Sequence, residues 1–100
     1  MPVATEVLDE AFCRCWRLTS VSLPNVRRVG KHAFDRSLSL TSVSLPAVRR
    51  VAKDAFYKCQ KLETVFLPSA EFIDANSFYG CRRLSKDKVF APDDAKELLP

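Results

Sequence analysis

The sequence predicts a repeat solenoid of the α/β kind: about four stacked 22-residue coils, each a short β-strand plus a short helical or 3-10 turn, with a degenerate C-terminal cap. Three observations predict it. The stretch Leu18–Phe34, LTSVSLPNVRRVGKHAF, returns 22 residues later as Leu40–Phe56, LTSVSLPAVRRVAKDAF, changed only where Asn25, Gly30 and His32 become Ala47, Ala52 and Asp54. The same step aligns apolar columns along the rest of the chain, such as Phe12, Phe34, Phe56 and Phe78. Apolar residues make up 47% of the chain and only two residues are glycine, a composition for packed coils and not for disorder or loops. A period in the twenties marks units that cannot bury their own faces and must stack.

The chain enters the repeat part-way through a unit, because Pro2 already falls in the column of Pro24, Pro46 and Pro68. Each unit then opens on a leucine: Leu18, Leu40, Leu62 or Leu84. Next come Val21, Val43 and Val65, and two residues later Leu23, Leu45 and Leu67. This V-x-L alternation puts the apolar residues on one side and is β-prone, so VSL and VFL are short strands. The proline that follows has no N–H for a ladder and ends the strand. Val26–Val29, with two arginines between the valines, is extended or a second short strand. The segments KHAFDRS, KDAFYKC and NSFYGC read as one helical or 3-10 turn with Ala and Phe inward. Val7, Val29, Val51 and Ile73 complete the inward set.

The period slips at the C-terminus. Asp87 stands where a valine is due, and Val89-Phe90-Ala91-Pro92 repeats Val65-Phe66-Leu67-Pro68 two residues late. The insert is rich in Lys86, Asp87 and Lys88, and Asp93–Leu99 reads as a short helix with acids in its first turn. The expected division is a solenoid over 1–86 and an irregular cap with a short helix over 87–100. No matching cap is visible before the first coil. Its outer face should expose apolar surface, which implies a longer array or self-association through that end; the alternative is a frayed first coil.

Composition limits function. The formal charge is +4, which permits acidic partners without requiring them. No apolar run approaches the ~18 residues that a membrane span needs. The N-terminus lacks the basic start and apolar core of a secretory signal. Glycine scarcity excludes phosphate-cradling loops, and no cofactor is expected. Of the four cysteines, Cys15, Cys59 and Cys81 share a column with Ser37. Cys59 and Cys81 are within disulfide reach on column spacing, but a column position suits a buried, reduced thiol that packs as a small apolar group. Cys13 and Cys15 lack the two-residue gap of a redox or zinc pair. His32 is the only histidine, in a column otherwise filled by Glu10, Asp54 and Asn76. Neither a metal site nor a Ser-His-Asp triad is therefore expected, and the chain reads as no enzyme.

Two outward sets remain. Inward Val and Leu force Ser20, Ser22, Ser42, Ser44, Thr64 and Phe66 outward as a flat polar sheet with one aromatic, the surface that repeat proteins use for partners. Phe66 is the natural anchor. The alternative is a merely solvated sheet. Arg27, Arg28, Arg49 and Arg50 form two basic columns with Lys31 and Lys53 nearby, partly neutralised by Glu6 and Glu71. They suit an acidic protein, a glycan or, less well because no aromatics interleave them, a nucleic acid; the alternative is the solvated face of a duplicated repeat.

The strand signature Leu18-x-x-Val21-x-Leu23 resembles a leucine-rich repeat. Val26 and Val48 stand where the common form of that repeat carries Asn or Cys. The pattern is more similar to the BspA-like variant, leucine-rich repeat type 5. That variant has a proline after the strand, an Ala-Phe pair, and a Cys three residues before the next Leu. Here these are Pro46, Ala55-Phe56 and Cys59 before Leu62, then Pro68, Ser77-Phe78 and Cys81 before Leu84. The resemblance covers about residues 2 to 92. It implies a non-catalytic recognition scaffold, since the family includes bacterial and protist surface proteins linked to adhesion to host or matrix proteins. It also implies a protein partner and a cell-surface or extracellular place. The other readings of function are a basic patch for anions, or a structural spacer in a longer array.

Overall fold

Strands form where a β-branched residue points inward beside outward neighbours that are polar or, in the last three strands, include a phenylalanine. They are β1 (Glu6–Val7), β2 (Ser20–Ser22), β3 (Arg28–Val29), β4 (Ser42–Ser44), β5 (Arg50–Val51), β6 (Thr64–Phe66), β7 (Phe72–Ile73) and β8 (Val89–Phe90). The structure, a computed structural model, describes residues 5–74 and 76–92. Two four-stranded parallel sheets run the length of the stack, β1-β3-β5-β7 and β2-β4-β6-β8. Their register is the sequence period: Val7 pairs with Val29, Val29 with Val51, and Val51 with Ile73. In the other sheet Val21 pairs with Val43 and Val43 with Val65. The arginine-bearing segment is thus a strand with a sheet of its own.

The slip at the C-terminus is absorbed locally. β8 pairs with β6 through Val65 with Val89 and Phe66 with Phe90, and a 3-10 turn at Lys86–Lys88 takes up the extra residues. The helix expected at Asp93–Leu99 lies outside the described residues, as does the start of the first coil at 1–4.

The helical or 3-10 turn expected after the second strand of each coil does not form. Backbone sign is the reason. His32 and Arg36 sit at φ of 54° and 56°, and Asp54 and Lys58 at 57° and 56°, so no run of right-handed residues is long enough to wind. The amides alternate instead. Ala33, Asp35 and Ser37 donate to the carbonyl three residues back, while His32, Phe34 and Arg36 donate to Lys53, Ala55 and Tyr57 of the next coil. The same alternation links the third coil to the fourth through Phe56 to Ser77 and Lys58 to Tyr79. A helix would have kept all these bonds within one coil; the alternating turns build a third ladder between coils.

That ladder sets the core. The stacked rings of Phe12, Phe34, Phe56 and Phe78 have centroids 5.2, 5.0 and 5.0 Å apart. Around them pack the Leu40/Leu62, Leu45/Leu67, Val43/Val65 and Val29/Val51/Ile73 columns, all buried. Val26 and Val48, in the place of the usual asparagine, are buried too. The small-residue column also has a polar duty. Ser37 Oγ donates to Phe12 O at 2.9 Å, Cys59 Sγ to Phe34 O at 3.0 Å and Cys81 Sγ to Phe56 O at 3.1 Å. Hydroxyl and thiol are interchangeable there because each supplies one donor to the preceding coil. All four cysteines are free thiols. The neighbouring Cys81 thiol, then burial, pushes the Cys59 thiol above its ordinary pKa, which holds it protonated.

Candidate functional site

The β2-β4-β6-β8 sheet turns its alternate residues to solvent. Ser20 and Ser22 are exposed, while Ser42, Ser44 and Thr64 are half-buried between neighbouring coils. Val21, Val43 and Val65 point inward between them. Phe66 is exposed, and the register brings a second exposed ring, Phe90, beside it at 6.4 Å between centroids. Phe90 was not among the outward residues expected from the sequence. The signal was there in the late echo Val89-Phe90, but only the strand pairing across the insert sets it next to Phe66. The face is therefore hydroxyl-rich over two coils and aromatic at its C-terminal end.

The β1-β3-β5-β7 sheet presents a different surface. Glu6, Arg28, Arg50 and Phe72 are paired neighbours in one outward column. Thr5, Arg27, Arg49 and Glu71 form the next, joined amide to carbonyl from coil to coil. All four arginines are exposed. The carboxylates of Glu6 and Glu71 lie at the two ends of the stripe as the sequence suggests. Among the described residues, however, none of the four arginines and neither Lys31 nor Lys53 forms an ion pair within 4.0 Å. The Arg50 guanidinium instead lies 5.6 Å from the centre of the Phe72 ring. An aromatic does adjoin the basic columns in space, although none interleaves them in sequence. Beside Arg28 and Lys31 a cleft of about 560 Å³ opens toward Glu6 and Asp9.

Ion pairing is concentrated on the third side, the turn ladder. His32 Nδ1 meets Asp35 Oδ2 at 2.7 Å, and its Nε2 lies 3.7 Å from Asp54 Oδ2 of the next coil. Arg36 reaches Asp35 Oδ1 at 3.3 Å. Asp35 is buried, so these partners satisfy a carboxylate that would otherwise be costly to desolvate. His32 is thus held between two carboxylates in adjacent turns. Cys13 lies at the same corner, its thiol pushed upward by burial and then by the Asp35 charge. The described residues contain no cluster of three or more His, Cys, Asp or Glu side chains placed to hold a metal. None of their helices is long and apolar enough to cross a membrane.

Parallel coils, a leucine-valine strand signature and flat outward sheets define a leucine-rich-repeat solenoid. The model of the BspA type leucine rich repeat region matches residues 5–94 in six copies, and the chain belongs to that family. No curated protein matches it. Among solved structures it is similar to a leucine rich cell surface protein from Faecalibacterium prausnitzii A2-165, with a TM-score of 0.66 and 18% identity. That match covers 97% of this chain but 32% of the other, so the chain spans about a third of that protein's length. At this identity the likeness concerns the fold.

Proposed function

We propose that the chain is a non-catalytic, protein-binding adhesion scaffold that engages its partner through the outward face of β2-β4-β6-β8. One observation carries this reading: Phe66 and Phe90 stand exposed and adjacent on a sheet whose other outward residues are Ser and Thr. Exposed aromatics within a polar surround fit the layout of protein interfaces, where rings supply the desolvated anchor and a polar, solvated rim encloses it. Family membership supports the same reading, since repeat solenoids offer broad rigid surfaces without catalytic groups. A place at the cell surface, as in the Faecalibacterium protein, is part of the proposal.

The test is binding to immobilised host-matrix and host-surface proteins by surface plasmon resonance. Phe66→Ala with Phe90→Ala should weaken a specific partner at least tenfold, roughly what losing one interface hot spot implies. Ser44→Arg should act likewise by placing an unpaired charge in the interface. Both variants should keep the thermal stability of the parent, because they alter outward positions only. A partner bound equally well by parent, double alanine and Ser44→Arg proteins would move the interface off this face, and absence of any partner would remove the reading.

A further inference from the structure

The stack places a narrow basic strip on the opposite sheet. Its rows are Arg27, Arg28 and Lys31 in the second coil and Arg49, Arg50 and Lys53 in the third, all exposed. Carboxylates bound the strip along the stack: Glu6 is in register with Arg28, and the Glu71 amide bonds Arg49 O. It is therefore two coils wide, about 5 Å between strands, with the arginines at and just before β3 and β5 and the lysines in the turns that follow. Six cations share that area with no ion pair among the described residues, while the molecule's ion pairs lie elsewhere. Like charges at this spacing repel only weakly in water, so the strip can stand empty, yet each cation keeps its full capacity for an anion.

We infer that this strip binds a linear sulfated polysaccharide lying along the strands, across the two coils. Charge complementarity fixes the sign of the ligand, and geometry its class. The four arginines stand at adjacent backbone positions of two neighbouring coils, Arg28 in register with Arg50 and the Arg49 amide on Arg27 O, whereas an extended acidic peptide sets carboxylates on one face only every ~6.6 Å or more. A peptide that adds as a strand would also want a free sheet edge, and β3 and β5 are the two inner strands of their sheet. A sulfated glycan carries several anionic groups on each disaccharide and needs no pocket. Each sulfate presents oxygens that a planar guanidinium meets with two parallel hydrogen bonds. Single-stranded nucleic acid fits less well, since Phe72 is the one ring adjoining the strip and successive bases need successive rings. The flanking Glu6 and Glu71 carboxylates orient the chain along the strands by repelling one that crosses them.

The experiment uses the full chain on immobilised heparin, with poly-L-glutamate and single-stranded DNA as competing probes. Retention on heparin at low salt should fall as salt rises. Arg28→Gln with Arg50→Gln should weaken it roughly tenfold, as the loss of two exposed charge pairs implies. Arg82→Gln with Lys61→Gln removes the same net charge outside the strip and should leave retention near that of the parent. Far-UV circular dichroism and a thermal melt check that both pairs of variants fold. No retention, or equal loss in the two double variants, overturns the inference, the second by reducing it to net charge. Stronger competition by poly-L-glutamate than by free heparin overturns the class in favour of an acidic protein, and by DNA in favour of a nucleic acid. These results are independent of Phe66 and Phe90, so failure here leaves the other sheet's proposed interface standing, and the reverse.

Discussion

Phe12 and Phe56 occupy the same column, the same turn and the same ring orientation, yet Phe12 is 38% exposed and Phe56 fully buried. Phe56 has a ring on each side at 5.0 Å; Phe12 has only Phe34, at 5.2 Å. Leu8 and Ala11 are exposed in the same first coil, around an apolar hollow of about 290 Å³ that Phe12, Leu23 and Val26 line. The comparison teaches that a residue's energetic weight in a solenoid comes from its place in the stack, because each coil contacts only its neighbours. Truncation should expose the difference. Phe56→Ala removes a buried ring flanked on both faces and should cost about 3–5 kcal/mol, enough to abolish cooperative unfolding in a domain this small. Phe12→Ala loses one flanking contact and a partly wet ring, roughly 1–2 kcal/mol. Urea unfolding followed by circular dichroism measures both. Equal losses would mean that the first coil is as fully packed as the third.

The second and third coils sharpen the point, since their sequences are nearly the same. Gly30 and Ala52 are column mates, and an alanine is accommodated at 52. At Gly30 it is not. A Cβ there would sit 2.5 Å from Asp9 Oδ1, 2.6 Å from Asp9 N and 2.8 Å from Leu8 C. The first coil has closed in because Asp9 Oδ1 accepts the Lys31 amide at 2.9 Å. Gly30→Ala should therefore cost about 1–3 kcal/mol by overpacking, despite the precedent 22 residues on. Adding Asp9→Ala should recover only part, because two of the three close atoms are backbone. Full recovery would show that the side chain alone sets the approach.

Much of this was legible because the period does two jobs at once. A 22-residue step fixes both which residues face inward and which become neighbours, so the Val21/Val43/Val65 register and the Arg28/Arg50 column follow from counting. The turns were not legible. Left-handed positions usually announce themselves as glycine or asparagine, but here, Gly80 apart, they hold Glu10, Arg14, His32, Arg36, Asp54 and Lys58. With no glycine to flag the backbone, KHAFDRS has the spacing of a helical turn. On the outward faces, Phe66 was readable as exposed because Val65 must point inward. Its partner Phe90 stands 24 residues on, past the period, and needs the strand pairing across the insert. Phe72 is 22 residues after Arg50 and so countable, but the approach of the guanidinium to its ring is a side-chain contact that counting does not give.

The same turns supply the smallest test of the comparison between coils. Arg14, Arg36 and Lys58 share one left-handed position with Gly80, at φ of 58°, 56°, 56° and 79°. Only the fourth coil has the residue that pays no steric cost there. Gly80→Ala should lose about 1–2 kcal/mol, and more if Lys58 cannot move, since the new Cβ would lie 2.8 Å from Lys58 Cγ and 3.3 Å from its Cα. Reversing the substitution isolates the backbone contribution. Arg36 also pairs with Asp35, and both Arg36 and Lys58 lie 5.3 Å from the Tyr57 ring, so replacing either removes contacts as well as strain. Arg14 makes no ion pair among the described residues. Arg14→Gly should gain about 0.5–1 kcal/mol, the relief of strain less the added freedom of the unfolded chain. That gain corresponds to a rise of a few degrees in melting temperature. A fall instead would mean that the Arg14 side chain, packed over the turn, outweighs its backbone strain, and the first coil would then be held by its surface as much as by Phe12.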